Sequence, residues 1–100
     1  MLYYTQIIFL KQGKEAIFHD FEDHVLPLIE RHNGKLLYRV RPDTAAVIET
    51  SLGYPYEIHI VSFQTRKDFE SYRDDKERLH YLHLKEQSIE KALLIEGKLL

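Results

Sequence analysis

The sequence contains no cysteine and no tryptophan. Without cysteine the chain can form no disulfide, no thiolate metal site and no cysteine nucleophile. An excess of positive charge is also lacking, because 14 Lys and Arg residues are balanced by 16 Asp and Glu residues. Nucleic acids and anionic membranes attract clustered Lys and Arg, so the sequence predicts neither of them as a partner.

The sequence also lacks a long apolar run. Its apolar beginning, Met1 to Leu10, is too short to span a bilayer and has neither a basic n-region nor a small-residue cleavage site. We therefore predict that it is the first strand of a mature protein, with the cytoplasm as the default compartment. One hundred residues, 44% of them hydrophobic, fit one globular domain that spans residues 1–100.

Two strand-like segments, residues 3–10 and 56–65, are apolar on both faces. In the first, Tyr4 and Ile8 alternate with Tyr3 and Ile7. A domain of this size buries only about 60 to 65 per cent of its unfolded surface, and its few helices can cover one sheet face. The second face is therefore predicted to be buried by another copy of the chain, in a homodimer.

The remaining pattern predicts the order β-α-β-β-α-β. The acidic residues early in the first helix suit the positive end of its dipole: Glu15, Asp20, Glu22 and Asp23. The predicted elements are a strand at Leu2 to Lys11, a helix over Ile17 to His32 with a kink at Pro27 and an end at Asn33-Gly34, a strand at Lys35 to Arg41, an extended arm at Thr44 to Thr50, a strand at Tyr56 to Thr65, a helix from Arg66 that is broken between Arg73 and Arg78, and a strand at Ala92 to Glu96. This order is typical of the α+β, ferredoxin-like fold, in which a four-stranded antiparallel sheet carries two helices on one face.

Four short motifs accompany this layout, at Pro27 to Ile29, Asn33 to Leu37, Val61 to Thr65 and Leu94 to Gly97. With them the chain resembles the dimeric α+β barrel superfamily, which contains antibiotic-biosynthesis monooxygenases, muconolactone isomerase and stress-responsive proteins. The resemblance implies that two sheets pack face to face in a dimeric barrel, with a small-molecule cleft between sheet and helices. Those monooxygenases use Trp and Asn beside an aromatic substrate. This chain has no Trp and one Asn, in a turn, so we predict neither that oxygenation nor a cofactor.

His59 is the predicted catalytic residue. It lies in the middle of the third strand, and an imidazole, whose unperturbed pKa is about 6.5, can act as a general base beside a cleft. Glu57 is two residues away on the same face and can orient the ring. The alternative is that His59 is a satisfied core or interface group, which is common for histidines in half-buried strands.

Arg39 is the second predicted catalytic residue, as the holder of an anionic substrate. It shares one face of the second strand with Arg41, and a guanidinium there can hold a carboxylate by bidentate hydrogen bonds. The alternative is an ion pair with Glu57 or with a carboxylate of the second copy.

Tyr4, Gln6 and Tyr72, together with Glu57, are the predicted ligand-binding residues. The tyrosines on the sheet and the second helix can line an aromatic pocket, as can Tyr38 and Tyr81, or they can fill a small core. His80 and His83 form a His-x-x-His pair, but a metal ion needs at least one more ligand. No metal site is predicted.

The sequence therefore predicts a homodimer that binds a small organic molecule in a cleft between sheet and helices. Whether it is also an enzyme is left open by the sequence; an enzymatic activity would be isomerase-like or oxidoreductase-like, on a small aromatic or carboxylate metabolite. The alternative function is that of a dimeric binding or structural protein without catalysis.

Overall fold

The computed structural model describes all 100 residues and contains one four-stranded sheet. In chain order the elements are β1 (Leu2–Leu10), α1 (Glu15–Val25), a first 3₁₀ helix (Leu26–His32), β2 (Gly34–Val40), a second 3₁₀ helix (Thr44–Ala46), β3 (Glu57–Phe63), α2 (Arg66–Arg73), α3 (Lys76–His80), α4 (Leu82–Ser88) and β4 (Ile89–Gly97). The strands are antiparallel and follow the order β2-β3-β1-β4. The predicted α+β, ferredoxin-like arrangement is confirmed. No helix combines the length and the apolar character that a membrane crossing requires.

The helices lie against one face of the sheet, which we call the inner face. Tyr4 and Gln6 of β1 pair with Val61 and His59 of β3 on this face. Their neighbours on each strand point to the opposite, outer face because side chains alternate along a strand. The register of strand pairing therefore determines which alternate side chains of each strand contact the helices.

The first helical region consists of two pieces, as the position of Pro27 predicts. The α-helix ends at Val25, and a 3₁₀ helix with Pro27 near its start continues to His32. Asn33 then takes a left-handed conformation with a φ of 57°. Gly34 is needed for a different reason: a Cβ there would lie 2.6 Å from Cε1 of Phe63 and 2.7 Å from Cγ2 of Ile29.

Three details differ from the sequence prediction. The predicted arm over residues 44–50 is a short 3₁₀ helix followed by irregular chain, since no strand lies beside it to complete a ladder. A register shift between Leu36 and Tyr38 places Leu36 on the same face as Arg39, whereas regular alternation along the predicted strand would place them on opposite faces. The last strand begins at Ile89, directly after α4, rather than at Ala92.

One end of the inner face carries an aromatic cluster. Tyr4 stacks on Phe69 of α2 with ring centroids 4.3 Å apart, and Phe63 meets Phe69 edge to face at 5.7 Å. Ile29 of the first 3₁₀ helix completes this core. The helices are therefore anchored to the sheet at this end, and the opposite end of the inner face holds the charged groups described below.

The outer face is apolar and has no helix over it. Tyr38, Leu93 and Ile95 are 58%, 41% and 50% exposed there. They pair with Ile60, Ile7 and Thr5 on the same face. Single exposed apolar residues are ordinary, but a continuous apolar sheet face marks a contact surface.

Candidate functional site

Three ionisable side chains are buried together between the sheet and α1. Glu57 and His59 of β3 are 0% and 1% exposed, and Glu22 of α1 is 4% exposed. His59 Nε2 is hydrogen-bonded to Glu57 Oε2 and lies 3.6 Å from Glu22 Oε2. Buried ionisable groups are costly unless they are paired, so this cluster stands out in a small domain.

Glu22 was not predicted as a site residue, because we assigned it only to the helix dipole. It comes four residues after Phe18 and three before Val25, which are both buried. That spacing places it on the apolar stripe of α1. A carboxylate within an apolar stripe is the sequence signal that indicates it.

Glu57 is held by two arginines as well as by His59. Arg39 Nε lies 3.1 Å from Glu57 Oε2, and Arg41 Nε lies 2.8 Å from Oε1. Burial alone would raise the pKa of Glu57, but the hydrogen bonds from His59, Arg39 and Arg41 outweigh it and lower the pKa to about 2. An ionised carboxylate can only accept, so Nε2 of His59 donates, and in the neutral ring Nδ1 is then the basic nitrogen.

Glu22 has the opposite electrostatic environment. Burial raises the pKa of Glu22 to about 7; the charge of Glu57 also raises it, and His59 partly opposes the shift. Its Oε2 is buried and has no hydrogen-bond partner. Near neutral pH Glu22 is therefore divided between its protonated and ionised forms, as suits a group that exchanges protons.

A cavity of about 200 Å³ lies beside this cluster, between the sheet and the helices. Ligand pockets commonly exceed about 300 Å³, so this one suits a compact molecule. Its walls combine aromatic and aliphatic groups such as Phe21 and Phe69 with seven polar side chains, which are Gln6, Glu22, His59, Tyr72, Arg73, Arg78 and Lys85.

The structure brings some of the predicted site residues to this cavity and not others. Gln6, His59 and Tyr72 line it, and Glu57 is hydrogen-bonded to His59 without lining it. Tyr4 lines a smaller space of about 50 Å³ that shares Gln6, His59 and Tyr72, and its hydroxyl donates to Glu96 Oε1 at 3.0 Å.

Arg39 does not line the cavity. It lies on an open groove on the other side of Glu22, and its ion pair with Glu57 is the alternative arrangement that the sequence left open. Its place in the site is therefore that of a group that holds Glu57.

Three cations that were not predicted as site residues line the cavity, namely Arg73, Arg78 and Lys85. Arg73 is paired with Asp74, which leaves Arg78 and Lys85 as the cations without a carboxylate partner. Arg78 lies on α3, whose first turn is capped by Asp75, which accepts from Glu77 N at 2.8 Å. Asp75 is also bound to His32 Nε2 at 2.6 Å, which ties α3 to the first 3₁₀ helix. In the sequence Arg78 belongs to a charged run that predicts only a helix break, so no local pattern indicates its role.

The spacing of Glu22, Glu57 and His59 would permit a metal ion, since one ligand atom from each lies within 4.8 Å of the others. However, Arg39 and Arg41 already bind both oxygens of Glu57. The two guanidinium charges already offset the ionised Glu57 and the partly ionised Glu22, so a divalent cation would add an excess of positive charge. The residues therefore do not fit a metal well.

Other predicted candidates lie away from the cavity. His80 and His83 are exposed, and His83 Nδ1 lies 3.2 Å from the carbonyl oxygen of His80. Tyr38 is on the outer face, and Tyr81 stacks on His24 of α1 with centroids 4.0 Å apart. Neither tyrosine lines the cavity.

No protein-family model matches the sequence, and no curated protein matches it either. Solved structures match it well. A protein of unknown function from Rhodopseudomonas palustris has a TM-score of 0.84 at 14% identity, over 99% of this chain and 82% of that one. A DABB family protein with a ferredoxin-like fold from Mesorhizobium loti has a TM-score of 0.70 at 16% identity, over 99% and 96% of the two chains. A dimeric ferredoxin-like protein of unknown function from Bacteroides fragilis has a TM-score of 0.71 at 10% identity, over 98% and 95%.

These similarities establish the fold. The solved structures include ferredoxin-like proteins, two of which are described as dimeric, so the predicted ferredoxin-like fold is confirmed. Identities of 10% to 16% carry no information about substrate or catalytic residues.

Proposed function

We propose that the chain forms a homodimer in which the outer faces of two sheets pack together as a barrel. The apolar, uncovered outer face supports this, because water contact at Leu93, Ile95 and Tyr38 is unfavourable and a second copy offers the same surface. A similar ferredoxin-like protein is described as dimeric. The cavity lies on the other face, so each subunit keeps its own site.

We further propose that the cavity binds a small organic molecule and that His59 transfers a proton to or from it. The observation that carries this proposal is a cavity that contains a buried histidine oriented by an ionised glutamate. The Glu57 carboxylate fixes which nitrogen of His59 carries its proton and stabilises the charged ring after it accepts another. The arrangement therefore suits an isomerase-like step, in which a base removes a proton and returns it elsewhere on the same molecule.

Arg39 has a positioning role in this proposal. With Arg41 it keeps Glu57 ionised and fixed, so that Glu57 can orient His59. The role predicted for Arg39, to hold an anionic substrate, is proposed instead for cations that line the cavity, such as Arg78 and Lys85.

The alternative is a dimeric binding or structural protein without catalysis. A cavity wall sealed by aliphatic side chains would have favoured it. Seven polar side chains instead surround the cavity, so ligand binding is the function that the geometry supports better.

Binding is tested by the shift in melting temperature that a panel of aromatic and carboxylate metabolites produces. A ligand that binds only the folded state raises the melting temperature, and the absence of any shift across the panel would remove the proposal. Proton transfer is then tested in D₂O, where the wild type should accelerate the loss of acidic C–H signals from a bound compound. We expect His59→Gln to lose this acceleration, while His83→Gln, which changes an exposed histidine, retains it.

A further inference from the structure

Two buried side-chain atoms have no hydrogen-bond partner in the chain, and both belong to residues that line the cavity. They are Oε2 of Glu22 and Nε of Arg78. Buried polar atoms are nearly always paired, so an unpaired one needs an explanation. Glu22 can accept a hydrogen bond or, when protonated, donate one, and Arg78 Nε can donate one. Because both atoms border the same cavity, they match a ligand that carries complementary groups.

The positive charge around the cavity points to the kind of ligand. Arg78 Nη1 donates to the carbonyl oxygen of Arg73 at 3.1 Å, which leaves Nε as a free donor. The guanidinium also lies over the ring of Tyr72, 5.1 Å from its centroid. Burial lowers the pKa of Lys85, and the adjacent charge of Arg78 lowers it further. An anion between Arg78 and Lys85 would relieve both effects.

We expect Glu22 to bind a different group of the same ligand. Because this carboxyl is present in both protonation states near neutral pH, its best partner is a group that can donate and accept. A hydroxyl does both. The remaining walls are aromatic and aliphatic, with Phe21 and Phe69 among them, and suit an apolar ring.

We propose that the cavity recognises a compact hydroxycarboxylic acid with an apolar ring, its carboxylate bound by Arg78 and Lys85 and its hydroxyl by Glu22. This rests on the proposed function and narrows it to a substrate class. It also makes Glu22 a residue that touches the ligand and can exchange the hydroxyl proton, next to His59.

The test uses three probes of matched shape, meta-hydroxybenzoate, benzoate and meta-hydroxybenzamide, in titration calorimetry with the full-length protein. We expect meta-hydroxybenzoate to bind at least about tenfold more tightly than either of the others, since each lacks one matched polar group. Arg78→Gln should weaken the binding of meta-hydroxybenzoate by about 10- to 100-fold. In this variant the acid should bind no more tightly than the amide. Glu22→Gln should reduce its advantage over benzoate.

The control is Lys76→Gln, which removes an exposed positive charge from the same helix, outside the cavity. It should change affinity by less than about threefold, because an exposed charge is screened. If Arg78→Gln does not fold, Lys85→Gln tests the same anion site and should also remove the preference for the acid.

The outcomes separate this inference from the proposed function. If the acid and the amide bind equally, or if Arg78→Gln and Lys76→Gln behave alike, the inference is overturned while ligand binding stands. If no probe binds at millimolar concentration and no member of the wider panel shifts the melting temperature, both are overturned.

Discussion

The two faces of the sheet each contain groups that depart from the rule that charged groups are exposed and apolar groups are buried. The inner face, which the helices cover, contains Glu57 and His59 at 0% and 1% exposure. The outer face, which nothing in the chain covers, presents Tyr38, Leu93 and Ile95. Charged groups are thus buried while large apolar groups meet water.

This contrast shows that the charged groups of one face and the apolar groups of the other are stabilised in different ways. The charges of the inner face are compensated within the chain by Arg39 and Arg41, and we propose that its unpaired atoms bind a ligand. No element of the chain covers the apolar outer face, and we propose that a second copy of the chain covers it.

A charge on the outer face should have the largest effect. We expect Ile95→Asp to weaken dimerisation at least about 100-fold, or about 3 kcal/mol, because an unpaired carboxylate would be buried between the sheets. Light scattering after size-exclusion chromatography over a dilution series measures this. The matched control is Leu79→Asp, on the helical side, where Leu79 is 46% exposed against 50% for Ile95. Equal dissociation constants for the two variants would contradict the assignment of the outer face as the interface.

Removal of the inner-face counterion should destabilise the subunit. Glu57→Gln leaves Arg39 and Arg41 without their carboxylate, and we expect a loss of about 3 kcal/mol in the free energy of unfolding. This is the low end of the usual range, because the side chains of Arg39 and Arg41 are 32% and 47% exposed. Urea denaturation measures the loss, with Glu90→Gln as an exposed control. A loss below about 0.5 kcal/mol would mean that Glu57 is not held as described.

The raised pKa of Glu22 predicts a decline in stability as pH rises. The pKa is about 7 in the folded state and 4.5 without the fold, so the folded protein binds the proton more tightly between those values. The contribution of protonated Glu22 to the free energy of unfolding is fully present below pH 4.5 and is lost as pH rises through about 7. We expect the wild type to lose up to about 3 kcal/mol more than Glu22→Gln between about pH 5 and pH 8.

Urea denaturation at the two pH values measures this difference. The other charged groups that act on Glu22, namely His59, Glu57, Arg39 and Arg78, are present in both proteins, so comparison of the two isolates Glu22. Parallel pH profiles of stability for the wild type and Glu22→Gln would show that the pKa of Glu22 is not raised.

The packed end of the inner face should tolerate no added volume. Gly34→Ala places a Cβ 2.6 Å from Phe63, and we expect a loss of about 1 to 3 kcal/mol in the free energy of unfolding. Gly97→Ala, also in a strand, has nothing within 4 Å of the added Cβ and should be close to neutral. If the two substitutions cost the same, the close packing of Phe63 on β2 is not as described.

Much of this fold is predictable from local pattern. Pro27 predicts the division of the first helical region because proline has no N–H to donate, and the period of two in β3 places Glu57 and His59 on one face. The extra residue in β2 is not predictable in this way. The shift near Leu37 depends on pairing with β3, which is a contact over a long distance in sequence.

The candidate site is less predictable than the fold. His59 and Glu57 are close in sequence, and their contact follows from strand geometry. Glu22 has a recognisable signal in the apolar stripe of α1, whereas Arg78 and Lys85 reach the cavity only because α3 and α4 pack over it. Which cations face a cavity depends on tertiary packing, and so a search of the linear sequence favours Arg39 instead.

Sedimentation equilibrium of the wild-type protein at micromolar concentration tests directly whether a second copy of the chain covers the outer face. Burial of the outer face by a second copy predicts a mass twice the 12.0 kDa of one chain. A stable species of 12.0 kDa at that concentration would leave the apolar outer face in water and would contradict the account.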